Sequence, residues 1–490
     1  MGNYIYAITV LFPILMGVLI VLLPFKNRTQ MMIYIETVVI LTSLLVLYME
    51  MNTPDGVFTL FRFQGNLSVT LTLDGLGSIF AGMIAILWPL AVLFSFEYMK
   101  HEGHEKYFFM FYVMTYGVTL GVCEAENILT LYVFFEMLSL ITLPLIMHTL
   151  TREAIHASRT YFYYMVGGAA FAFIGMIFIL IYGTTSSFVP GGVLDPAKVA
   201  GRENFFLLIY VMCFCGFSVK AALFPFSSWL PKAGVAPTPV TALLHAVAVV
   251  KTGVFAVMRI TYYSFGIDLL KGSWAQSFVM TLTIITIVYA SSRALKETHI
   301  KRRLAWSTVS NLSYILFAVT QMSAAGLEGA LGHMVAHAFM KICGFFCAGA
   351  IMYKTGCHYI HELDGFGRKM PKVFLAFTFA GLGLMGVPGL CGFISKWYIV
   401  KAATENGSAL SYLGVGALLV SALLTAIYML TVSIRAFFPG KAFDYSKIET
   451  VEDPNWMMIL PLACFVIGMV ILGLHPQLLY NILHNVVSVL

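Results

Sequence analysis

Lys220, His245 and Lys251 stand inside segments of this chain apolar enough to lie in a bilayer. A charge within hydrocarbon is expensive and seldom present without a task. The stretch that holds them, KAALFPFSSWLPKAGVAPTPVTALLHAVAVVK over residues 220–251, is also interrupted by Pro225 and Pro231. Irregular backbone at membrane depth is tolerated only where it meets protein or water. Bases beside a broken helix point to a route for ions, most simply protons. Glu136 sits mid-span in LTLYVFFEMLSLITLPLI. Paired with a buried lysine it stays charged and its proton affinity follows that partner; the plainer alternative is a salt bridge that only fixes packing. For Lys220 the alternative is a side chain that reaches an interface, and for His245 a satisfied core residue.

His333, His337 and Lys341 recur every four residues in LGHMVAHAFMKICGFF, which puts all three on one helix face. The H-x3-H spacing also suits a metal or haem pair, but no acidic or Cys ligand accompanies it. A polar stripe that carries protons fits better, and no metal or other cofactor is expected. Lys396 ends a second interruption, GVPGLCGFISK, with Pro388 and Gly389. It could serve as the exit base, the alternative being an interfacial lysine. Glu36 and Asp74 lie near span edges and are weaker candidates. Arg259, near a helix end, is expected to snorkel, and Lys232 reads as structural or electrostatic.

These residues need a membrane scaffold, and the composition supplies one. Of 490 residues, 60% are hydrophobic and 11% charged, with a mean hydropathy of +0.87. Such a chain is an all-α polytopic membrane protein with almost no extramembrane domain. The net charge of +6 reads as loop charge facing anionic lipid, not a nucleic-acid footprint. Eight scattered Cys form no CxxC framework and read as small buried hydrophobes. The apolar stretch from Tyr4 has no basic region before it and no cleavage site, so it reads as the first span.

Windows of about 20 apolar residues predict about 14 transmembrane helices. They begin near Tyr4, Met31, Leu73, Tyr107, Ile128, Thr160, Phe205, Val240, Trp274, Leu304, Leu327, Val373, Leu413 and Met457. Residues 57–72 alternate apolar and polar side chains and read as a surface β-hairpin. By these spans the odd-numbered loops hold 18 Lys and Arg and the even-numbered ones five. The odd loops are therefore cytoplasmic, and both termini face outward from a prokaryotic inner or plasma membrane. The two broken segments stand five spans apart in opposite orientation, the pattern of inverted-repeat transporters. The match is imperfect, since Lys220 precedes its break and Lys396 follows its own. The division expected is 1–106 for N-terminal spans with the hairpin, 107–264 and 265–437 for two inverted five-helix repeats, and 438–490 for the C-terminal span. No nucleotide, phosphate or iron–sulfur signature appears. The chain has no catalytic site of its own in view and must be driven by an ion gradient or by partners.

FPFSSWLPKAGVAPTPVTALLHAVAVVKTGVF and HMVAHAFMKICGFF resemble the antiporter-like family shared by respiratory complex I, Mrp-type sodium/proton antiporters and membrane-bound hydrogenases. The resemblance covers nearly the whole chain. It implies two inverted five-helix units with flanking spans. It also implies a fifth-span glutamate, Glu136, paired with a lysine of the broken seventh span, Lys220. His245 and Lys251 then match the eighth span, His333, His337 and Lys341 the eleventh, and Lys396 the broken twelfth. Lys232 departs from the family, many of whose members carry an acidic residue there. The chain ends soon after the fourteenth span, which argues against the distal complex I subunit and its long lateral helix.

The resemblance implies one of two functions. One is a proton-translocating subunit of a redox-driven membrane complex, with sodium as a second candidate ion, working beside related subunits. The other is the D-type subunit of an Mrp antiporter without a redox partner. A quinone- or haem-binding anchor resting on His333 and His337 is a third reading, whose haem version an optical spectrum without a Soret band removes.

Overall fold

A computed structural model of the chain describes residues 2–52, 56–63, 67–440 and 443–490. Several of the helices begin on a side-chain cap that the sequence offers. Asn27, Asp74, Asn127, Thr151, Ser273, Ser323 and Ser408 each accept a hydrogen bond from a backbone N–H two or three residues into the adjoining helix.

The first spans are α1 (Tyr4–Leu22), α2 (Arg28–Met51), α3 (Gly75–Tyr98), α4 (Glu105–Cys123), α5 (Ile128–Ile146) and α6 (Arg152–Tyr182). Next come α7 (Glu203–Ser218), the single turn α8 (Trp229–Lys232) and α9 (Thr238–Phe265), an α-helix with π-helical turns at Leu243–Val247 and Arg259–Phe265. The chain continues through α10 (Trp274–Lys296), α11 (Ile300–Val319), α12 (Ala324–Thr355), α13 (Pro371–Met385) and α14 (Cys391–Asn406). It closes with α15 (Ala409–Phe437), α16 (Trp456–Leu474) and the short amphipathic α17 (Gln477–Val487). Strands β1 (Phe58–Arg62) and β2 (Ser68–Leu71) pair antiparallel where the hairpin is expected, and residues 64–66 of that hairpin lie outside the described residues.

Among the described residues, ten helices are long and apolar enough to cross a membrane. Helices α4, α7, α11 and α13 stand where the fourth, seventh, tenth and twelfth spans are expected. They fall short of the apolar criterion for visible reasons. Helices α7 and α13 have 16 and 15 residues because the chain breaks after them, and α4 and α11 open on charged turns.

The layering follows charge. The most apolar stretches of α9 and α12 are fully covered by the rest of the chain, whereas that of α16 is 33% buried and those of α6 and α15 39%. The shielded pair carries His245, Lys251, His333, His337 and Lys341, and the lipid-facing helices are apolar outward. An unshielded ammonium in hydrocarbon is the costlier arrangement.

Close approach between α9 and the first break depends on one glycine. A methyl group on Gly253 would sit 2.7 Å from the Ala221 nitrogen and 2.9 Å from the Lys220 Cβ. Both belong to buried backbone or its first side-chain carbon, which cannot swing away. Gly253→Ala is therefore expected to destabilise the assembled protein by about 1–3 kcal/mol. Thermal unfolding in detergent checks this, and an unchanged transition temperature contradicts it.

Candidate ion-translocation site

The first break begins where α7 ends, at Ser218. Residues 219–228 run as turns, closed by the Trp229 indole N–H donating to the Val219 carbonyl at 2.9 Å. The Phe224 N–H is satisfied by the Thr286 hydroxyl of α10 at 3.0 Å. Lys220 lies within this break, one residue past the helix cap, and not ahead of it as the sequence suggests. Pro231 does not break the chain either. It occupies the third position of α8, inside a first turn whose N–H groups have no helical partner. Pro225 remains in the break, and Pro388 and Gly389 form the second one between α13 and α14.

Lys220 is 1% exposed. Its ammonium donates to the Phe135 carbonyl of α5 and lies over the Phe135 ring, 3.3 Å from the centroid. The Glu136 carboxylate is 4.0 Å away, an ion pair without a direct hydrogen bond. At that separation and an effective dielectric of 20, the attraction is about 4 kcal/mol, enough to hold two charges together and weak enough to be altered by a small movement. Glu136 is not enclosed as the sequence suggests. Its side chain keeps 26% exposure on the flank of the chain.

Along α9 the π turn at Leu243–Val247 widens the helix and shifts its register. Two of its bases, His245 and Lys251, meet α12. The His245 ring lies 4.7 Å from that of Phe345, within electrostatic reach of Lys341 and Lys301. The Lys251 ammonium is 2.6 Å from His337 Nδ1. His337 and His333 are one turn apart, with ring centroids at 6.1 Å. His333 has both nitrogens engaged, Nδ1 with the Ser395 hydroxyl at 2.9 Å and Nε2 with the Asn311 carbonyl oxygen at 3.3 Å. That arrangement uses the atoms a metal would need.

Lys396 follows Ser395 on α14. Its ammonium donates to the carbonyls of Leu384 at 2.5 Å and Met385 at 3.1 Å. These are the oxygens that the end of α13 leaves without a helical partner, and the negative end of the helix dipole favours a cation there. Gly386, at φ +92°, turns the chain away so that the lysine can enter. Tyr314 stands between Lys396, 5.3 Å from its ring, and His333, 5.5 Å between centroids. Lys341 donates to the Leu304 carbonyl at 3.0 Å. The expected residues thus fall into an α5–α7 pair, Glu136 and Lys220, a central line through Lys251, His337, His333 and Lys396, and a branch of Lys341 and His245.

Several members of this network escape sequence reading. Lys301, counted there as loop charge, is 4% exposed and donates to the Ala236 carbonyl at 2.8 Å. Ser307, Ser310, Asn311 and Ser313 are buried on α11, and the polar run STVSNLS inside an apolar segment was the available signal. Glu124 is fully buried and accepts a hydrogen bond from Thr9 at 2.7 Å. Arg259 does not snorkel. It is 1% exposed, ringed by Phe188, Phe255 and Tyr263 at 5.0–5.1 Å, and paired through both terminal nitrogens with Asp74. Lys232 is exposed.

Comparison with known proteins places this arrangement. Residues 125–425 match the family model described as NADH:quinone oxidoreductase/Mrp antiporter, TM. The chain is 28% identical over 432 residues to NADH-quinone oxidoreductase subunit N of Desulforudis audaxviator, covering 85% of this chain and 84% of that protein. It is also 28% identical over 503 residues to Na(+)/H(+) antiporter subunit A1 of Staphylococcus aureus, covering 97% of this chain but only 61% of that longer protein. Its fold is that of a chain in the archaeal membrane-bound sulfane sulfur reductase (TM-score 0.84, 22% identity, 99% of this chain and 97% of that one). A chain of the Mrp complex from Dietzia sp. DQ12-45-1b is similar (0.82, 19%, 99% and 97%), as is one of respiratory complex I from Thermus thermophilus (0.81, 22%, 99% and 98%). With the family model spanning more than half its length, the chain belongs to the NADH:quinone oxidoreductase/Mrp antiporter membrane family.

Proposed function

We propose that the chain is the proton-translocating, antiporter-like subunit of a multisubunit, redox-driven membrane complex of the complex I or membrane-bound hydrogenase type, with sodium as a candidate coupled ion. One observation carries this reading: a line of buried bases, Lys251, His337 and His333, leads from the centre of the molecule towards Lys396 at the second break. Such groups exchange protons with their neighbours when spacing and local charge permit. In this reading a charge rearrangement outside the chain separates or rejoins Glu136 and Lys220. The proton affinity of the central line shifts in response, and Lys396 releases the proton. The inverted-repeat division, 107–264 and 265–437, fits one break in each unit. The loop charges favour cytoplasmic odd loops and outward termini in a prokaryotic plasma membrane. Other membrane subunits, including related antiporter-like ones, would supply the driving force.

A second reading is a D-type subunit of an Mrp antiporter. The match along 97% of the chain to a sodium/proton antiporter subunit favours it. Liposomes holding the purified intact complex separate the two, with a pH dye read with and without sodium and with and without reduced ferredoxin or NADH. Reductant-dependent acidification is the expected outcome. Sodium-driven proton exchange that ignores the reductant would overturn it in favour of the antiporter.

A further inference from the structure

Two cavities on the outside of α6 and α10 meet across the first break. The upper one, about 590 Å³, is almost wholly apolar, with Gly167, Phe171, Val219, Phe226 and Phe278 among its walls. Phe171 and Phe278 are 43% and 46% exposed, and Gly167 has open space where a side chain would stand. The lower one, about 640 Å³, has Arg152, Lys232, Arg293 and Arg302 around it, against Glu153 and Glu297. Glu297 is already engaged by Arg302 at 3.4 Å. All four cationic side chains are exposed. Tyr164 of the upper wall and Ser228 of the lower join at 2.7 Å between hydroxyl oxygens, so the two cavities share one boundary.

Arg293 and Phe278 are 15 residues apart on α10, about 22 Å at 1.5 Å per residue. Half a bilayer with its headgroups is about 20–22 Å thick. Gly167, the middle residue of α6, stands the same 15 residues from exposed Arg152 at that helix's start, so an apolar cleft beside the middle of α6 ends after that distance in exposed cations and has the shape and polarity of one phospholipid.

We infer that the α6–α10 groove binds an anionic diacyl phospholipid, its acyl chains against Gly167, Phe171 and Phe278 and its phosphate among Arg152, Lys232 and Arg293. The acyl chains cover Val219 and Phe226, the two ends of the turn that contains Lys220, so the lipid seals this irregular backbone from the bulk bilayer. Lys232, exposed and without a place in the ion route, is a headgroup ligand. Indole packing prepares the site for a phosphate, since the Arg293 guanidinium lies over Trp306 at 5.3 Å with its edges free to donate. This site is independent of the ion carried and of the driving partner.

Native mass spectrometry of the delipidated intact complex, titrated with phosphatidylglycerol or phosphatidylcholine, tests the proposal. The wild-type complex is expected to retain phosphatidylglycerol in preference to phosphatidylcholine. The triple variant R152Q/K232Q/R293Q should bind phosphatidylglycerol at least about tenfold more weakly, since each basic residue near an anionic headgroup contributes several-fold. Gly167→Phe fills the cleft and should weaken both lipids while leaving the cations in place. Equal retention of the two lipids by the wild type sinks the proposal without need of any variant. So does undiminished phosphatidylglycerol binding in an assembled triple variant. Efficient crosslinking of Gly167→Cys to another subunit would also overturn it, because the groove would then be a protein interface.

Discussion

A purified complex carrying Glu136→Gln or Lys220→Ala moves almost no ions. The two residues come from α5 and the α7 break, 4.0 Å apart. They form an ion pair, and among the described residues the Lys220 ammonium has the Phe135 carbonyl and ring as further support. Removing the carboxylate leaves an ammonium with no counter-charge, so the neutral amine becomes favoured and the pair can no longer switch. Removing the ammonium leaves a carboxylate that takes up a proton and stays neutral. Either way the site loses one of its two charge states. Loss of a positioned proton-transfer group lowers a rate by about 10²-fold or more, so transport should fall to background. Glu136→Gln should assemble, because that side chain keeps 26% exposure and the amide matches the carboxylate in size, whereas Lys220→Ala truncates a side chain that is 1% exposed, so its assembly is read beside its transport. The check is reductant-driven acidification of liposomes together with the elution profile of the complex. Normal pumping in both variants removes the pair from the mechanism.

The second large effect is on stability, and it is asymmetric. Asp74→Asn leaves the Arg259 guanidinium 1% exposed among three aromatic rings with no carboxylate. Breaking a buried pair by removing one partner destabilises by about 3–5 kcal/mol, and this variant should approach that range. Arg259→Gln leaves a carboxylate whose side chain is 36% exposed and which still accepts the Gly77 N–H as the cap of α3. Water can reach it, so the loss should be smaller. Thermal unfolding of the two variants gives the order, with Asp74→Asn the less stable. The reverse order would mean that the aromatic ring cage, and not the carboxylate, holds the guanidinium.

Much of this site is legible in the chain because hydrocarbon makes each polar residue conspicuous. Glu136, Lys220, Lys251 and Lys396 stand out among apolar neighbours, and the four-residue period of His333, His337 and Lys341 places them on one face before any fold is known. Many spans announce their start with a cap or a charged turn, which needs no distant partner to be read. What resists reading is pairing across distance. Arg259 looks like a helix-end residue bound for the interface until Asp74, 185 residues earlier, proves to be its partner. Lys301 has the sequence context of a charged loop, yet the fold brings the first turn of α11 against Ala236 and buries it there.

The sequence by itself determined the membrane, the apolar spans, the two breaks and the types of residue that could carry ions. Those are consequences of local composition: hydropathy sets which segments enter the bilayer, and stretches bearing proline and glycine mark where two of them are interrupted. Only the tertiary structure decided that Lys251 meets His337, since a π turn in α9 alters the facing of every residue beyond it. It alone decided that Glu136 stands at the flank and His333 in the interior, and that Lys396 is held by the carbonyls α13 gives up. The bilayer excludes water from all these groups alike, so their partners, and with them their charges, are fixed by which helices pack together.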